Sequence, residues 1–203
     1  MPVPSSLSNT EHALADTRPW AAPHVARLCD DEARLAALLR DNFTMVWRAL
    51  RRLGVSQDAA DDAAQEVFII AARRLAEVER GRERPYVYGI ALRVAANVRR
   101  AKRRSLEHSD EDAIAAAFAI GTECDTLLDE KQWRALLENI LDKMPEELRN
   151  AFVLFEFEGF TEREIAELCS VPQGTVASRL RRARLLFHEG VQRLKLRLSV
   201  GGS

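Results

Sequence analysis

Residues 159 to 187 contain two helical patterns separated by only three residues, and no other feature restricts the fold of this chain as strongly. Thr161 and Glu164 have the spacing of a capping box, in which each side chain bonds a free amide at the start of a helix. A tight turn over residues 169 to 171 follows, and Pro172 opens a second helix. Two helices joined by so short a turn predict a helix-turn-helix.

The second of these helices has an apolar side and a basic side. Its apolar residues recur at spacings of four, three and four, and we expect them to face the core: Val176, Leu180, Ala183 and Phe187. The outer face and its flanks contain Gln173, Thr175, Ser178, Arg179, Arg181 and Arg182. Because the guanidinium group of arginine bonds guanine or phosphate through two N–H groups, this face predicts binding to DNA. The alternative is an ordinary amphipathic hairpin with a cationic exterior.

The rest of the chain also predicts helices. Of its 203 residues 47% are hydrophobic, but only 9 are Gly and 7 are Pro, so that helix breakers are few. Apolar residues recur at helical spacing over residues 35 to 53, 67 to 75 and 133 to 155. We expect Gly54 to end the first of these helices and Ser56 to cap the next.

The fold class that these patterns predict is all-α, with two small helical domains joined by a flexible linker. Residues 1 to 27 lack periodicity and predict a mobile N-terminal tail. Residues 28 to 104 predict the first domain, with a polar loop over residues 79 to 85. Residues 105 to 128 predict an acidic linker, and residues 129 to 198 predict the second domain, which contains the helix-turn-helix.

The charges are segregated although the net charge is only −1. The charged residues between 93 and 104 are all basic, and those between 179 and 197 are basic except for Glu189. The charged residues of the segment between the two, residues 107 to 130, are acidic. Two separate basic surfaces predict two contacts with nucleic acid. The alternative is that each basic run is a solvated helix face.

The sequence argues against an enzyme, a metalloprotein and a membrane protein. Cys29, Cys124 and Cys169 are far apart and lack the spacing of metal ligands. The four histidines are scattered, and no catalytic set or glycine-rich phosphate loop is present. There is no apolar run of membrane-spanning length and no signal-peptide pattern. We expect a cytoplasmic protein without a catalytic centre, metal or cofactor and without membrane insertion.

Several segments resemble one protein family, the extracytoplasmic-function (ECF) sigma factors of RNA polymerase. Residues 172 to 184, PQGTVASRLRRAR, are similar to the signature of the family's region 4, and residues 144 to 167 are similar to the approach to that signature. Residues 62 to 68, DAAQEVF, and 86 to 91, YVYGIA, resemble its region 2. The resemblance implies a sigma factor that binds core RNA polymerase and directs promoter recognition, DNA melting and transcription initiation. A stand-alone helix-turn-helix regulator is the alternative.

The resemblance also implies a role for individual residues. Those that would bind core RNA polymerase are Asp62, Gln65 and Glu66. Those that would hold the downstream (−10) promoter element, through an unstacked base or through phosphates, are Arg80, Arg82, Arg84, Tyr86, Arg93, Arg99, Arg100 and Arg103. Gln173, Thr175, Ser178, Arg179, Arg181 and Arg182 would contact the upstream (−35) element. The implied partners are core RNA polymerase, promoter DNA and an anti-sigma factor.

The chain departs from the family pattern at several of these positions. Tyr86, Arg93 and Asn97 stand where Trp, Asn and Asp are common, and Ala177 replaces a frequent Lys or Arg. Ser170 replaces the glycine of the turn, and we expect it to adopt a left-handed conformation at a cost of about 1–2 kcal/mol. The promoter sequence that this chain prefers therefore does not follow from the family pattern.

Overall fold

The computed structural model describes residues 23 to 107 and 130 to 200, with the side chains of residues 32 to 105 and 132 to 196. The described residues form helices and no strand, which confirms the all-α class. The N-terminal half consists of α1 (Pro23–Arg52), α2 (Gln57–Arg74), a 3₁₀ turn (Leu75–Glu77) and α3 (Glu83–Glu107). The C-terminal half consists of α4 (Glu130–Asp142), α5 (Glu146–Phe152), a π-helix (Val153–Phe157), α6 (Glu162–Cys169) and α7 (Gln173–Val200). Most of the predicted tail and linker lie outside the described residues, although α1 extends into the predicted tail segment.

Small and branched apolar residues hold the N-terminal half together. α2 buries a row of alanines, which allow α1 and α3 to approach it closely: Ala60, Ala63, Ala64 and Ala71. Leu50 of α1, Leu53 just after it, Val67 of α2 and Val94 of α3 are buried between the three helices. Each such side chain contributes roughly 1.5–3 kcal/mol when it is removed from water.

The end of α1 is the glycine-containing cap that the sequence predicts. Gly54 has a φ of +90°, and the amide of Val55 donates to the carbonyl of Leu50 at 3.0 Å. A Cβ at position 54 would overlap the guanidinium of Arg149, so that the site requires glycine for space as well as for conformation. The prediction for Ser56 was wrong in one respect: it occupies the N-cap position of α2, but its side chain makes no capping hydrogen bond.

The chain changes direction between α5 and α6 through the π-helix. Gly159 follows it with a φ of +69°, as expected for the residue that breaks the helical pattern. The amide of Phe160 donates to the carbonyl of Leu154 at 2.9 Å, which brings both side chains into the core beside Ile165. The wider π turn was not predicted, because the apolar spacing of residues 148 to 155 fits an ordinary helix equally well.

The two halves pack against each other. One apolar cluster contains Leu50 of α1 and the following Leu53 together with Leu141 of α4, Met144 of the turn after α4, and Phe152 of α5. A second cluster joins Ala49 and Tyr88 of the N-terminal half to Leu154, Phe160 and Ile165 of the C-terminal half. Helical periodicity did not predict this contact, because it assigns each of these residues to the core of its own half.

Candidate nucleic-acid interface

α6 begins at the capping box that the sequence predicts. The amide of Thr161 donates to Oε2 of Glu164 at 2.8 Å, and the amide of Glu164 donates to Oγ1 of Thr161 at 3.3 Å. The hydrogen bond from the Thr161 backbone is the main reason why the pKa of Glu164 lies below its usual range. The reciprocal bonds fix the direction in which α6 leaves the turn at Gly159.

The turn between α6 and α7 depends on a left-handed residue. Ser170 has a φ of 54° and a ψ of 46°, as predicted. Its amide donates to the carbonyl of Glu167 at 3.3 Å, and the amide of Val171 donates to Ala166 at 3.0 Å. These bonds close α6 in the manner of a glycine-terminated helix, with serine in the strained position.

α7 presents the face that the sequence predicts. Val176, Leu180 and Ala183 are buried, and the ring of Phe187 lies 5.0 Å from that of Phe152. On the opposite face Gln173, Ser178, Arg181 and Arg182 are exposed, and Thr175 and Arg179 are half-buried. The Ser178 hydroxyl donates to the carbonyl of Thr175 at 2.8 Å, so that its oxygen remains available as an acceptor. An exposed basic face on a single helix fits the major groove of B-DNA, which admits an α-helix.

A second basic surface lies on α3. Arg93, Arg100 and Arg103 are exposed, and Arg100 donates to Oδ1 of Asn97 at 2.6 Å. Arg99 does not share this surface. Its guanidinium donates to the carbonyl of Leu53 and lies 2.6 Å from Oε1 of Glu146, in the contact between the two halves.

The loop before α3 is shorter than predicted. Residues 83 to 85 form the first turn of α3, where proline is tolerated because its missing amide has no helical partner. Arg80 and Arg82 are exposed in the remaining loop. Arg84 donates to the carbonyl of Glu158, and its guanidinium lies 4.5 Å above the ring of Phe160. Tyr86 is half-buried, and its hydroxyl donates to the carbonyl of Ala71 at 3.5 Å.

The predicted polymerase-binding residues share the exposed face of α2. Asp62, Gln65 and Glu66 lie within one turn of each other, opposite the buried Ala63 and Val67. Ile69 continues the same face and is 55% exposed, which makes it an apolar addition that sequence reasoning missed. Its position three residues after Glu66, out of phase with the buried residues of α2, is the signal that could have identified it.

Glu158 is the other residue that sequence reasoning missed. It is 4% exposed and lies between the two halves. Its Oε1 accepts from Arg52 at 3.1 Å, and its Oε2 accepts from the hydroxyl of Tyr88 at 2.5 Å. Burial first, and then the hydrogen bond to Glu158, raise the pKa of Tyr88 well above its usual range. Nothing in the sequence around Gly159 distinguishes this carboxylate from an exposed loop residue.

Two family models match the chain in the order of its two halves. The model for Sigma-70 region 2 matches residues 38 to 105, and the model for Sigma-70 region 4 matches residues 134 to 186. The C-terminal half alone would not distinguish an initiation factor from a helix-turn-helix regulator. The region 2 match argues against the stand-alone regulator, which has no need of that domain.

Curated relatives agree with these models. Over 142 residues the chain is 36% identical to the ECF RNA polymerase sigma-E factor of Escherichia coli. The aligned segment covers 66% of this chain and 74% of that protein. Over 144 residues it is 35% identical to the RNA polymerase sigma-H factor of Pseudomonas aeruginosa, again covering 66% of this chain and 74% of that protein.

Two solved structures share the fold. CnrH in complex with the cytosolic domain of CnrY matches with a TM-score of 0.61 and 18% identity, over 80% of this chain and 90% of that one. The sigma factor RpoE of Bartonella quintana, in complex with the anti-sigma factor NepR, matches with a TM-score of 0.59 and 24% identity, over 77% of this chain and 98% of that one.

These matches identify the class of protein to which the chain belongs. Sigma factors are DNA-binding initiation factors and not enzymes, in agreement with the sequence analysis. None of the helices in residues 23 to 107 and 130 to 200 has the length and hydropathy of a membrane span. With both regions matched in order and two curated relatives above one-third identity, this chain belongs to the ECF sigma factors, the promoter-recognition subunits of RNA polymerase.

Proposed function

We propose that α2 docks this chain on core RNA polymerase, that the basic surface of α3 and the preceding loop hold the downstream promoter element, and that α7 reads the upstream element. The main support for the proposal is which side chains of α7 are exposed and which are buried. Arg181 and Arg182 are exposed, whereas Val176, Leu180 and Ala183 are buried, so that the two arginines can reach base edges in a major groove. We place this activity in the cytoplasm, where RNA polymerase acts.

The proposed downstream surface works mainly through phosphates. Arg93, Arg100 and Arg103 are exposed on α3, and Arg80 and Arg82 are exposed in the loop that precedes that helix. Arginines on a helix face bind phosphates without reading sequence, and they stabilise a separated strand. Any reading of a flipped base near Tyr86 requires its side chain to move, because the ring is half-buried and its hydroxyl is bonded to Ala71.

The chain is also proposed to bind an anti-sigma factor. One structural neighbour, RpoE of Bartonella quintana, is a sigma factor in complex with the anti-sigma factor NepR, and it covers 77% of this chain. The shared fold supports the existence of such a partner and leaves its identity open to a co-purification experiment.

The upstream contact is tested by run-off transcription with core RNA polymerase on a promoter library. Arg181→Ala is expected to lower the transcript yield from the selected promoters by about 5- to 150-fold if Arg181 reads a base, which corresponds to roughly 1–3 kcal/mol. The matched control is Arg193→Ala, an exposed arginine farther along α7 whose ion pair with Glu189 spans one helical turn. Equal losses in both variants would contradict base reading by Arg181.

The polymerase contact is tested by pull-down of core RNA polymerase with the full-length chain. Glu66→Lys reverses a charge on the exposed face of α2 and is expected to abolish the interaction. Asp41→Lys makes the same charge change on the exposed surface of α1 and is expected to leave it intact. Retention of polymerase by the Glu66 variant at wild-type level would refute the assignment of α2.

A further inference from the structure

One arginine of α1 contacts both ends of the loop that precedes α3. The guanidinium of Arg34 donates through Nη1 to the carbonyl of Leu75 at 3.0 Å and through Nη2 to the carbonyl of Val78 at 2.7 Å. Its Nε and Nη2 also donate to Oε1 of Glu83, at 2.9 Å and 2.6 Å. Leu75 begins the 3₁₀ turn and Glu83 begins α3, so these bonds span the connection between α2 and α3. All of the groups belong to the N-terminal half, and the contact therefore does not depend on where the C-terminal half lies.

Glu83 extends this contact to the middle of the loop. Its Oε2 accepts from the amide of Gly81 at 2.7 Å, while its Oε1 accepts from Arg34. Gly81 has a φ of +88°, and a Cβ there would meet nothing within 4 Å, so glycine is needed for conformation and not for space. Burial by itself would raise the pKa of Glu83, but hydrogen bonds from its own amide, from Arg34 and from Gly81 hold that pKa below its usual range. The carboxylate is therefore a charged bridge between α1 and the loop.

The loop has little packing of its own. Residues 79 to 82 are all exposed, so none of their side chains is held in the core. The ion pair of Arg82 with Glu167 is long, at 3.7 Å, and both side chains are at least half exposed, so it contributes little. A segment with few buried contacts opens locally at a low cost in free energy. Arg34 and Glu83, whose side chains are only 13% and 22% exposed, hold the loop from its protected side.

The conformation of this loop determines where two of the proposed downstream contacts lie. Arg80 and Arg82 belong to it, and the carbonyl of Arg82 accepts from the amide of Tyr86 at 3.1 Å. Arg34 is bonded to protein groups through all three of its guanidinium nitrogens, so it does not belong to the exposed basic surface. Any effect of Arg34 on DNA binding therefore acts through the loop.

We propose that Arg34 is a positioning residue for the downstream promoter element. Through Glu83 and the carbonyls of Leu75 and Val78 it holds residues 79 to 82 in the conformation that binds DNA, without touching DNA itself. A preordered loop binds more tightly, because binding then carries no cost of ordering it. This inference rests on the proposed function of the loop. The alternative is that Arg34 only stabilises the fold.

The order of the loop is measured by amide hydrogen exchange in the full-length chain. Arg34→Gln removes the guanidinium and is expected to accelerate exchange over residues 78 to 83 by at least about tenfold, because charge-assisted hydrogen bonds are lost. Exchange in α6 and α7 is expected to stay at the parental rate. The matched control is Arg40→Gln, which makes the same change on the exposed surface of α1 and is expected to leave the loop unchanged.

DNA binding is measured with holoenzyme assembled from core RNA polymerase and the full-length chain. One probe is a single-stranded oligonucleotide that carries the downstream element, and the other is a duplex that carries only the upstream element, both taken from promoters selected in the library. Arg34→Gln is expected to weaken binding of the oligonucleotide about tenfold and to leave the duplex unaffected, since the apparent affinity follows the fraction of molecules with a competent loop. The salt dependence of oligonucleotide binding should stay the same, because the bound state keeps its phosphate contacts.

Glu83→Gln tests the same bridge while Arg34 stays in place. A carboxylate accepts at both oxygens, whereas an amide accepts at one, so this isosteric change breaks the bond from Arg34 or the bond from Gly81. It also makes the chain less acidic, and simple attraction then predicts tighter binding of DNA. The positioning role predicts the opposite, a loss of about threefold to tenfold in affinity for the oligonucleotide. Glu79→Gln removes the same charge from the same loop and is expected to cause no such loss.

Parental loop exchange or parental oligonucleotide affinity in Arg34→Gln overturns the positioning role. Equal weakening of both probes also overturns it, because a general loss of stability would produce that result. So does tighter oligonucleotide binding by Glu83→Gln, and so does a lower salt dependence in Arg34→Gln, which would place Arg34 on a phosphate. Failure of the proposed function looks different: Arg80→Ala/Arg82→Ala would then leave the affinity for the oligonucleotide unchanged, while faster loop exchange in Arg34→Gln would still report the lost contacts.

Discussion

Replacement of Ser170 by glycine is expected to stabilise the helix-turn-helix. Among the described residues, Ser170 is the one non-glycine with a positive φ, at 54°. A left-handed L-residue costs about 1–2 kcal/mol, which glycine avoids. Glycine also makes the unfolded chain more flexible, at a cost of about 0.4–1 kcal/mol. The net expected effect of Ser170→Gly is therefore a gain of about 0.5–1 kcal/mol in the free energy of unfolding.

The assay is thermal unfolding of the full-length chain followed by circular dichroism. For a chain of this size a gain of about 0.5–1 kcal/mol raises the melting temperature by roughly 1–4 °C. Ser178→Gly is the matched control, because Ser178 lies inside α7 with an exposed side chain, and it is expected to lower stability by about 0.5 kcal/mol. If Ser170→Gly lowers the melting temperature as the control does, the left-handed conformation does not limit the stability of this turn.

Three other substitutions test separate contacts by denaturant unfolding. Thr161→Ala removes the cap of α6 and is expected to cost about 1 kcal/mol. Because the folded pKa of Glu164 is lowered, the contribution of this carboxylate is present above its unfolded pKa of about 4.3 and is lost as the pH falls through the folded pKa. Both proteins should therefore lose stability in acid, and the difference between them should narrow only by the part due to the bond from Oγ1 of Thr161 to Glu164, since alanine keeps the backbone bond. Tyr88→Phe removes a hydrogen-bond donor from buried Glu158 and is expected to cost about 1–3 kcal/mol; an unchanged midpoint would contradict the contact. Gly190→Ala places a Cβ 2.7 Å from Cγ2 of Ile140, and its expected cost of about 1–3 kcal/mol should fall when Ile140→Ala, which removes that methyl group, is added.

The helix-turn-helix was predictable because local chemistry determines it. Thr161 and Glu164 are three residues apart, and their bonds form wherever a helix begins there. Val176, Leu180 and Ala183 are buried as their spacing requires, since only one face of α7 can be covered by α5 and α6. Local rules were less successful at the start of α2, where the Ser56 side chain leaves the cap unused. Ser56 still occupies the N-cap position, where water can accept hydrogen bonds from the free amides of the first turn in place of the serine side chain.

The position of the two halves could not be predicted, because it depends on pairs of residues that are distant in sequence. Arg52 and Glu158 are 106 residues apart, and Arg99 donates to a carbonyl 46 residues away. Neither Glu158 nor Glu146 stands out from other acidic residues near helix ends. Residue type gave no indication either, because an arginine suited to phosphate is equally suited to carboxylate.

This equivalence explains why the sequence could not separate arginines of the interdomain contact from arginines of a DNA-binding surface. A guanidinium group offers parallel N–H donors that match a carboxylate and a phosphate alike. Arg99 was predicted to contact DNA, but its guanidinium lies 2.6 Å from the carboxylate of Glu146. The ion pair with Glu146 therefore occupies a guanidinium group that the sequence pattern alone would assign to DNA. Arg51 and Arg52 pair with Glu138 and Glu158 in the same contact and carry no motif that would have distinguished them from Arg99.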